Sequence, residues 1–313
     1  MGGLTILAGG TGSAKLIRGL ASVYPQEKLT IIANVGDNYR LYGLYLCPDI
    51  DTAMYTLAGI LDRHKGWGVK GDSFNTLKML GKYGGETWFR LGDRDLATHL
   101  YRTWLLSQGY SLSQATAKLA EALGVKARII PATDDPLETY ITTAEAGTIH
   151  LQEFWVKRGG KDKVLAVEYR GVEKARPAPG VIQAIEKAEA VILPPANPIT
   201  SIGPTLAIPG IKEALKKAEK VLAVSPLRGG KPFSGPAAKL MQGLNLEAST
   251  LTIAKLYREF LNIIVVDEAD RNLKPEIERL GIRCHVARTL MDSLKAESRL
   301  ALTLLKLAEL KLK

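Results

Sequence analysis

The residues best suited to chemistry lie in short glycine-rich or polar segments that follow apolar runs. The first segment, AGGTGSAK at 8–15, joins an apolar run to a helical pattern. Glycines let the backbone approach a ligand closely, and N–H groups at a helix start attract phosphate oxygens. The segment is not a Walker A loop, which would need Gly in place of Ala14, nor a dinucleotide loop, which would need Gly in place of Lys15. It favours phosphate binding, and a tight turn without a ligand is the alternative.

Three aspartates follow the second apolar run: Asp37, Asp49 and Asp51. Loops at the carboxyl ends of parallel strands line the ligand crevice of an open sheet, so we expect these side chains to face the glycine loop. Carboxylates beside a diphosphate suit magnesium, because the ion bridges protein and phosphate oxygens. The alternative is that Asp49 or Asp51 caps the helix predicted at 51–62. Capping is favoured for Asp49, and a functional role is favoured for Asp37 and Asp51.

A third segment, FRLGDRDLATH at 89–99, combines two arginines, two aspartates and a histidine. Alternating charges usually form solvent-exposed pairs, and this is the default interpretation. If the segment folds over the crevice, Arg90 and Arg94 can instead contact an acidic or polar acceptor. His99 is predicted to be a structural residue rather than a base.

Further polar segments follow later apolar runs. PPANPITSIGPT at 194–205 offers Asn197 and Ser201 as ligand-binding side chains, since polar loops at strand ends commonly hold ligands. KPFSGPAAK at 231–239 offers Ser234 in the same way, and DEADR ends another run at 267–271. Simple turn formation explains each of these segments equally well.

Short β-branched runs alternate with amphipathic helical patterns along the chain. This alternation predicts a Rossmann-like α/β fold of three layers, in which helices cover both faces of a parallel sheet. The predicted strands are 4–8, 29–34, 127–131, 190–195, 221–226 and 263–268. The predicted helices are 14–23, 51–62, 181–188, 211–219, 249–261 and 292–312.

Residues 65–124 interrupt this alternation. They contain no good strand pattern and are predicted to form two helices, with Ser111 or Ser113 capping the second. We therefore predict a nucleotide-binding core of residues 1–64 and 125–313, with residues 65–124 as a helical insertion domain. A second excursion is predicted as an antiparallel hairpin. Its strands would be HLQEFWV and VLAVEYRG, joined by a turn at 157–163.

The composition excludes several classes of protein. With 313 residues, 46% hydrophobic and 24% charged, the chain is typical of a globular protein and not of a disordered, collagenous or coiled-coil one. Its net charge of +10 favours acidic ligands such as nucleotides. Nucleic acid is not an expected partner, because the lysines are dispersed and lack interleaved aromatic residues.

The cysteines and the apolar runs limit the expected location. Cys47 and Cys284 lie far apart and outside any CxxC pair, so neither a disulfide framework nor a zinc site is predicted. The apolar runs are strand-sized and far below the roughly 20 residues of a membrane helix. We therefore expect a cytoplasmic protein that is not embedded in a membrane.

Seven segments between residues 9 and 240 form a recognisable series. In order, they are GGTGSAKLIRGL, NVGDN, CPDIDTAMYTL, LGDRDLATHL, ATDDP, NPITSIGPTLAIPGI and SGPAAKL. Together they resemble the 2-phospho-L-lactate transferase family of coenzyme F-420 biosynthesis. The resemblance implies transfer of a 2-phospho-L-lactate or phosphoenolpyruvate-type group from a guanosine diphospho donor to a hydroxyl of the deazaflavin precursor Fo, with release of GMP.

The resemblance also implies roles for particular residues. Asp51 and Arg90 would contact Fo, and Mg²⁺ would assist the transfer. We expect Asp37 and Asp51 to hold the ion, and Asp51 also to orient the attacking hydroxyl or accept its proton. As a loop carboxylate, Asp51 would contribute little to the core. The residues expected to bind the donor diphosphate or nucleotide are Gly9, Gly10, Thr11, Gly12, Lys15, Asn197 and Ser201.

Two further expectations accompany the resemblance. A homodimer is implied by the resemblance alone. The alternative function within the superfamily is a regulatory protein that binds a nucleotide-sugar without transferring it. Asp51, Arg90 and the LGDRDLATH segment argue against that alternative.

Overall fold

A parallel sheet of seven strands forms the centre of the computed structural model, which describes residues 3–310. The strands are β1 (Leu4–Ala8), β2 (Leu29–Ala33), β5 (Arg128–Pro131), β9 (Ala190–Leu193), β10 (Val221–Val224), β13 (Ile263–Asp267) and β14 (Arg283–Ala287). Their order across the sheet is β14-β13-β10-β9-β1-β2-β5, and every neighbouring pair is parallel. Strands β1, β9, β10 and β13 are buried along their whole length, as a sheet covered on both faces requires.

Helices flank this sheet. They are α1 (Gly10–Val23), α2 (Pro48–Leu57), α3 (Asn75–Lys82), α4 (Asp93–Ser107), α5 (Leu112–Ala122), α6 (Val181–Glu186), α7 (Gly203–Ala207), α8 (Ile211–Lys217), α9 (Ala237–Gly243), α10 (Thr250–Tyr257), α11 (Lys274–Glu278) and α12 (Leu294–Leu307). Helix α1 contacts α2 and α12, whereas α8 contacts α6 and α7. Right-handed crossovers place α1 and α8 on opposite faces, because the chain leaves β1 and β9 in opposite directions along the sheet.

Helix α12 packs closely on α1 because one position of α1 has no side chain. A Cβ atom at Gly19 would lie 2.5 Å from the backbone oxygen of Glu297. The apolar face of α12 supplies the other half of the contact, since Leu300, Leu304 and Leu307 recur at helical spacing and are buried. The side chain of Arg18 adds a two-pronged ion pair with Glu297 across this interface.

The direction of strand addition reverses between β1 and β9. Ligands of open α/β sheets bind at such a switch point, outside the carboxyl ends of the strands. The segments that follow the two strands are in close contact there. A Cβ at Gly9 would lie 2.7 Å from Cβ of Ser201, and one at Gly12 would clash with the backbone oxygen of Pro195. Glycine is therefore required at both positions for packing, whatever the ligand.

The α/β fold predicted from the sequence is confirmed, and each of the predicted strands belongs to the central sheet. The edge strand β14 was not predicted, because its sequence RCHVA has no continuous apolar run. The predicted core helices are also present, although α1 begins at Gly10 rather than at residue 14. Residues 311–312 of the last predicted helix lie outside the described residues.

Smaller antiparallel sheets project from the core. They are β3 (Tyr39–Leu41) with β4 (Leu44–Leu46), β6 (Glu138–Thr143) with β7 (Gly147–His150) and β8 (Val164–Arg170), and β11 (Leu227–Arg228) with β12 (Lys231–Pro232). The hairpin predicted between HLQEFWV and VLAVEYRG is wrong in its first strand, because β8 pairs with β6. Part of the HLQEFWV segment instead forms a π-helical turn, Glu153–Lys157, and its buried Leu151 and Phe154 lie three residues apart, a helical spacing.

The predicted insertion, residues 65–124, contains helices α3, α4 and α5. The two helices predicted there are confirmed as α4 and α5, whereas α3 was not predicted. Ser111 caps α5, since its hydroxyl accepts a hydrogen bond from the Gln114 amide while the Gln114 side chain accepts one from the Ser111 amide. Helix α5 packs against β5, and the division into core and insertion domains stays a prediction.

Short helical segments of 3₁₀ geometry complete the chain at Gln26–Lys28 and Glu268–Leu273. Within residues 3–310, no helix combines the length and the apolar character needed to cross a membrane.

Candidate functional site

A cavity of about 870 Å³ opens at the switch point between β1 and β9. The predicted site residues that line it are Gly10, Thr11, Gly12, Lys15, Asp37, Asp51, Arg90, Asn197 and Ser201. Gly9 does not line it, since this glycine is buried against Ser201. Arg94, proposed as a second arginine over the crevice, instead donates to the backbone oxygen of Lys70 and pairs with Asp72 at the surface. The structure therefore gathers the predicted binding residues at one site, except for Gly9 and Arg94.

The first turn of α1 forms one wall of the cavity. Gly10 has a φ of +70°, a conformation that suits glycine, and its amide donates a 2.6 Å hydrogen bond to Oδ1 of Asp49. The N–H groups of a first helical turn have no partner inside the helix, so those of Thr11 and Gly12 are oriented for an anion. The predicted capping of α2 by Asp49 or Asp51 is wrong, because its N-cap Cys47 receives no side-chain cap and Asp49 bonds to α1 instead.

Asp37 and Asp49 form an acidic pair at the end of β2. One amide nitrogen, Nδ2 of Asn34, lies 2.8 Å from Oδ1 of Asp37 and 2.9 Å from Oδ2 of Asp49, and donates to both. Burial raises the pKa of Asp37 well above its usual range, and the charge of Asp49 raises it further. Burial also raises the pKa of Asp49, although hydrogen bonds from Asn34 and Gly10 oppose that shift. Two close carboxylates, which form no ion pair with any residue from 3 to 310, therefore border the cavity.

A second acidic group, here termed the Asp51 cluster, comprises Asp51, Tyr55, Asp95, His99 and Arg102. The guanidinium of Arg102 donates through Nη1 to Oδ2 of Asp51 at 3.0 Å and through Nη2 to Oδ1. Nδ1 of His99 is 3.6 Å from Oδ2 of Asp51, and its Nε2 is 3.3 Å from Oδ1 of Asp95. Tyr55 donates a 2.8 Å hydrogen bond to the same oxygen of Asp95. Helices α2 and α4 thus meet through a buried polar layer.

Neighbouring groups keep Arg102 and Asp95 in their charged forms. Burial alone would lower the pKa of Arg102, but the adjacent Asp51 carboxylate raises it above its ordinary value. Burial would raise the pKa of Asp95, but hydrogen bonds from His99 and Tyr55 keep it below its ordinary value.

Asp51 itself departs from its predicted setting. It lies in the first turn of α2, is 4% exposed and forms an ion pair with a fully buried arginine. The expectation that this carboxylate contributes little to the fold is therefore wrong. His99 is buried, as a structural residue would be, yet it also lines the cavity.

The carboxylates differ in how well they fit a magnesium ion. Mg²⁺ in proteins commonly takes one or two carboxylates and leaves its other positions to water and phosphate oxygens. The acidic pair meets this requirement, because among the described residues its oxygens accept only from the neutral donors Asn34 and Gly10, whereas both oxygens of Asp51 accept from the cationic Arg102. No cluster of three or more His, Cys, Asp or Glu side chains within residues 3–310 could hold a metal by itself. The role of Asp37 and Asp51 as magnesium ligands stays a prediction.

Aromatic residues form a further part of the cavity lining, and sequence reasoning missed them. Trp88, Phe89 and Trp155, here termed the aromatic wall, line the cavity. Tyr39 supports the wall from behind, with its ring centroid 5.8 Å from that of Trp88 and 6.5 Å from that of Phe89. Arg90 follows directly, with its guanidinium 4.9 Å from the ring centroid of Phe74. This wall suits a planar ring system.

The later polar segments differ in whether they reach the cavity. Oδ1 of Asn197 accepts from the backbone of Ile199, and its Nδ2 is buried without a hydrogen-bond partner among the described residues, which leaves a donor beside the cavity. The hydroxyl of Ser234 lies 3.2 Å from that of Thr11, so the 231–239 segment touches the glycine loop. In the 267–271 segment, Oδ1 of Asp267 accepts from the Ala269 amide, as in the turn-forming alternative, and its Oδ2 accepts from Thr289.

Comparison with known proteins gives consistent matches over nearly the whole chain. The family model of 2-phospho-L-lactate transferase CofD matches residues 4–292. A 2-phospho-L-lactate transferase from Methanosarcina acetivorans is 45% identical over 298 residues, which cover 95% of this chain and 96% of that protein. A phosphoenolpyruvate transferase from Streptomyces griseus is 40% identical over 312 residues, which cover 98% of each chain.

Among solved structures, a UPF0052 family protein from Bacillus halodurans resembles this chain with a TM-score of 0.64 and 16% sequence identity. The likeness covers 97% of this chain and 98% of that one, and at this identity it shows the fold alone. The family match and the transferase relatives, by contrast, extend over the segments that build the cavity. The chain therefore belongs to the 2-phospho-L-lactate transferase family, CofD.

Proposed function

We propose that this protein transfers a 2-phospho-L-lactate or phosphoenolpyruvate-type group from a guanosine diphospho donor to a hydroxyl of Fo, releasing GMP, in coenzyme F-420 biosynthesis. The observation that carries the proposal is that two unlike groups of residues line one cavity. The first group is the helix start with the acidic pair, and the second is the aromatic wall with Asp51 and Arg90. A charged diphosphate suits the first group, and a planar deazaflavin suits the second.

The donor would bind along the first turn of α1. The free N–H groups of Thr11 and Gly12 and the side chain of Lys15 supply the positive field that phosphate oxygens require. The unpartnered Nδ2 of Asn197 adds a neutral donor at the same wall. The protein's net charge of +10 favours the approach of such an anion.

The acceptor would stack on the aromatic wall formed by Trp88, Phe89 and Trp155. Stacking orients a ring without fixing its hydroxyl-bearing chain, so polar contacts must do the rest. Arg90 and Asp51 line the same cavity and are the groups proposed to contact the hydroxyl-bearing chain of Fo. With the donor at the first turn of α1 and Fo on the aromatic wall, the phosphorus of the donor and the hydroxyl oxygen of Fo would lie close together.

The reaction would require positioning more than covalent assistance. The acceptor oxygen attacks the phosphorus that carries the three-carbon acid, a new P–O bond forms, and the bond from that phosphorus to the bridging oxygen breaks. GMP leaves with the bonding electrons. Asp51 would hold the attacking hydroxyl by a hydrogen bond and accept its proton.

Magnesium dependence is part of the proposal. The residues that fit the ion best are Asp37 and Asp49, because they share one neutral amide and have no cation beside them. When bound, the ion would neutralise charge on the donor diphosphate. Asp51 would then serve the acceptor and not the metal, in contrast to the pairing expected from the sequence.

The test is incubation of the purified protein with Fo, Mg²⁺ and guanosine diphosphate derivatives of either lactate or enolpyruvate. We expect release of GMP together with a product whose mass equals Fo plus the phospho-acid group. The preferred donor identifies the acid, which the relatives leave open because both kinds of transferase are similar to this chain. Binding of donor without GMP release would contradict the proposal and favour a regulatory binding protein.

A further inference from the structure

We infer that Arg102 is a positioning residue, which fixes the orientation of the Asp51 carboxylate at the cavity wall. The inference rests on the proposed function for the role of Asp51. Arg102 has no exposed surface and is not among the residues that line the cavity. It therefore acts on a ligand only through the side chains that it contacts, which are Asp51, held by two hydrogen bonds, and His99, whose Nδ1 lies 3.3 Å from Nη1 of Arg102.

The geometry of the pair determines both the position and the plane of the carboxylate. Two nitrogens of one planar guanidinium each bond to a different oxygen of Asp51. Such a two-pronged pair restricts rotation of the carboxylate, whereas a single hydrogen bond would not. Each carboxylate oxygen can accept a second hydrogen bond, so the pair leaves acceptor capacity directed to the cavity that Asp51 lines.

Stability alone gives little reason for this arrangement. Buried ion pairs can often be replaced by apolar residues of similar volume with no loss of stability, because removing two charges from water is costly. Here Nε of Arg102 is also buried without a hydrogen-bond partner among the described residues, which adds to that cost. This ion pair, here termed the Arg102 clamp, is explained if the orientation of Asp51 matters to the reaction.

The Arg102 clamp also links Asp51 to the segment that carries Arg90. Asp95, His99 and Arg102 are spaced four and three residues apart, so they share one face of α4. The chain just before α4, which includes Arg90, lines the same cavity. The helix that supplies Arg102 to Asp51 therefore follows directly on the segment that supplies Arg90 to the cavity.

The test is Arg102→Lys, which keeps the charge but loses the two-pronged geometry. We expect kcat for transfer to Fo to fall about 10- to 100-fold, because small errors in position are costly to catalysis. The KM values for Fo and donor should change far less. A crystal structure of the ligand-free variant should show the Asp51 carboxylate rotated from its original plane. If this variant fails to fold, Arg102→Gln, which can donate one hydrogen bond to Asp51, replaces it.

The matched control is Arg18→Lys. Arg18 makes the same kind of two-pronged pair with buried Glu297, between α1 and α12 and outside the large cavity. This variant should retain the kcat of the original protein. An unchanged kcat together with an unmoved Asp51 in Arg102→Lys would overturn the inference. If the original protein itself shows no transfer, the proposed function fails, and the position of Asp51 in the variant crystal still decides whether Arg102 orients it.

Discussion

Asp49 and Asp51 stand two residues apart in the same helical turn, yet their surroundings are opposite. Asp49 points to α1 and β2, where it shares the Asn34 amide with Asp37 and faces no cation. Asp51 points to α4, where Arg102 neutralises it. The comparison indicates that one cavity uses carboxylates in two ways: an uncompensated pair suited to bind a cation, and a compensated group suited to hold a neutral hydroxyl.

The largest expected effect comes from Asp51→Asn. We expect turnover to fall about 10²-fold or more, because the amide cannot accept the proton of the attacking hydroxyl. The free energy of unfolding should also fall by about 3 kcal/mol, since the change leaves the buried guanidinium of Arg102 without a countercharge. Turnover is measured by GMP release, and stability by urea unfolding.

The control for Asp51→Asn is Glu297→Gln. Glu297 is a buried carboxylate held by two nitrogens of Arg18, so its loss should lower stability in the same way. It does not line the large cavity, and its turnover should therefore remain near that of the original protein. Near-normal turnover in Asp51→Asn would remove Asp51 from the chemistry and leave it as a structural residue.

The next effect concerns magnesium and separates the two carboxylate sites directly. Asp49→Asn should raise the Mg²⁺ concentration needed for half-maximal activity about tenfold or more, because metal sites lose at least this much when their surroundings are altered. Asp51→Asn should leave that concentration nearly unchanged. The measurement is GMP release against Mg²⁺ concentration. Equal shifts in both variants would contradict the division, and a shift only in Asp51→Asn would restore the pairing expected from the sequence.

A smaller effect should appear at the aromatic wall. Trp88→Leu removes a ring from this wall and should raise KM for Fo about three- to tenfold, the value of one aromatic contact. KM for the donor should not change. Lys15→Ala, which alters a residue proposed to bind the donor, should give the reverse pattern. If both variants alter the same KM, the two substrates do not divide the cavity as proposed.

The fold could be predicted from the sequence because its main determinants are local. Continuous apolar runs such as AVIL at 190–193 indicate strands buried on both faces, and the helical patterns between them give the crossovers. The edge strand β14 has no such run, so its membership in the sheet depends on pairing with β13. The segment at 150–156 resembled a strand in composition, but burial of Leu151 and Phe154 favoured a helical turn.

The position of the site could be predicted from the sequence, but the contacts among its side chains could not. Its residues follow β1, β2 and β9, and parallel strands bring their carboxyl ends together without any knowledge of side chains. Which carboxylate meets which partner depends on the direction of each side chain from α2, and this is a property of tertiary packing. A usable signal was present in α4, where ionisable residues at 95, 99 and 102 occupy one helical face.

The smallest expected effect is a gain in stability, opposite in sign to that of Asp51→Asn. The pKa values of Asp37 and Asp49 are raised by burial, so the native protein holds a proton to higher pH than the unfolded chain does. Without metal, stability therefore falls as the pH rises from about 4 through the native pKa. Asp37→Asn removes this loss and, in EDTA at pH 7, should raise the free energy of unfolding by about 1 kcal/mol.

This gain should shrink near pH 4, where the native carboxyl groups hold their protons and those of the unfolded chain are about half protonated. Urea unfolding of both proteins at pH 4 and pH 7, in EDTA, measures the difference. Asp51→Asn provides the contrast, since it should destabilise the protein at pH 7, where its carboxylate is compensated by Arg102. If Asp37→Asn destabilises the protein at pH 7, the hydrogen bond from Asn34 to Asp37 stabilises the fold more than the repulsion between Asp37 and Asp49 destabilises it. The acidic pair would then be a structural contact and not a site whose negative charge awaits a cation.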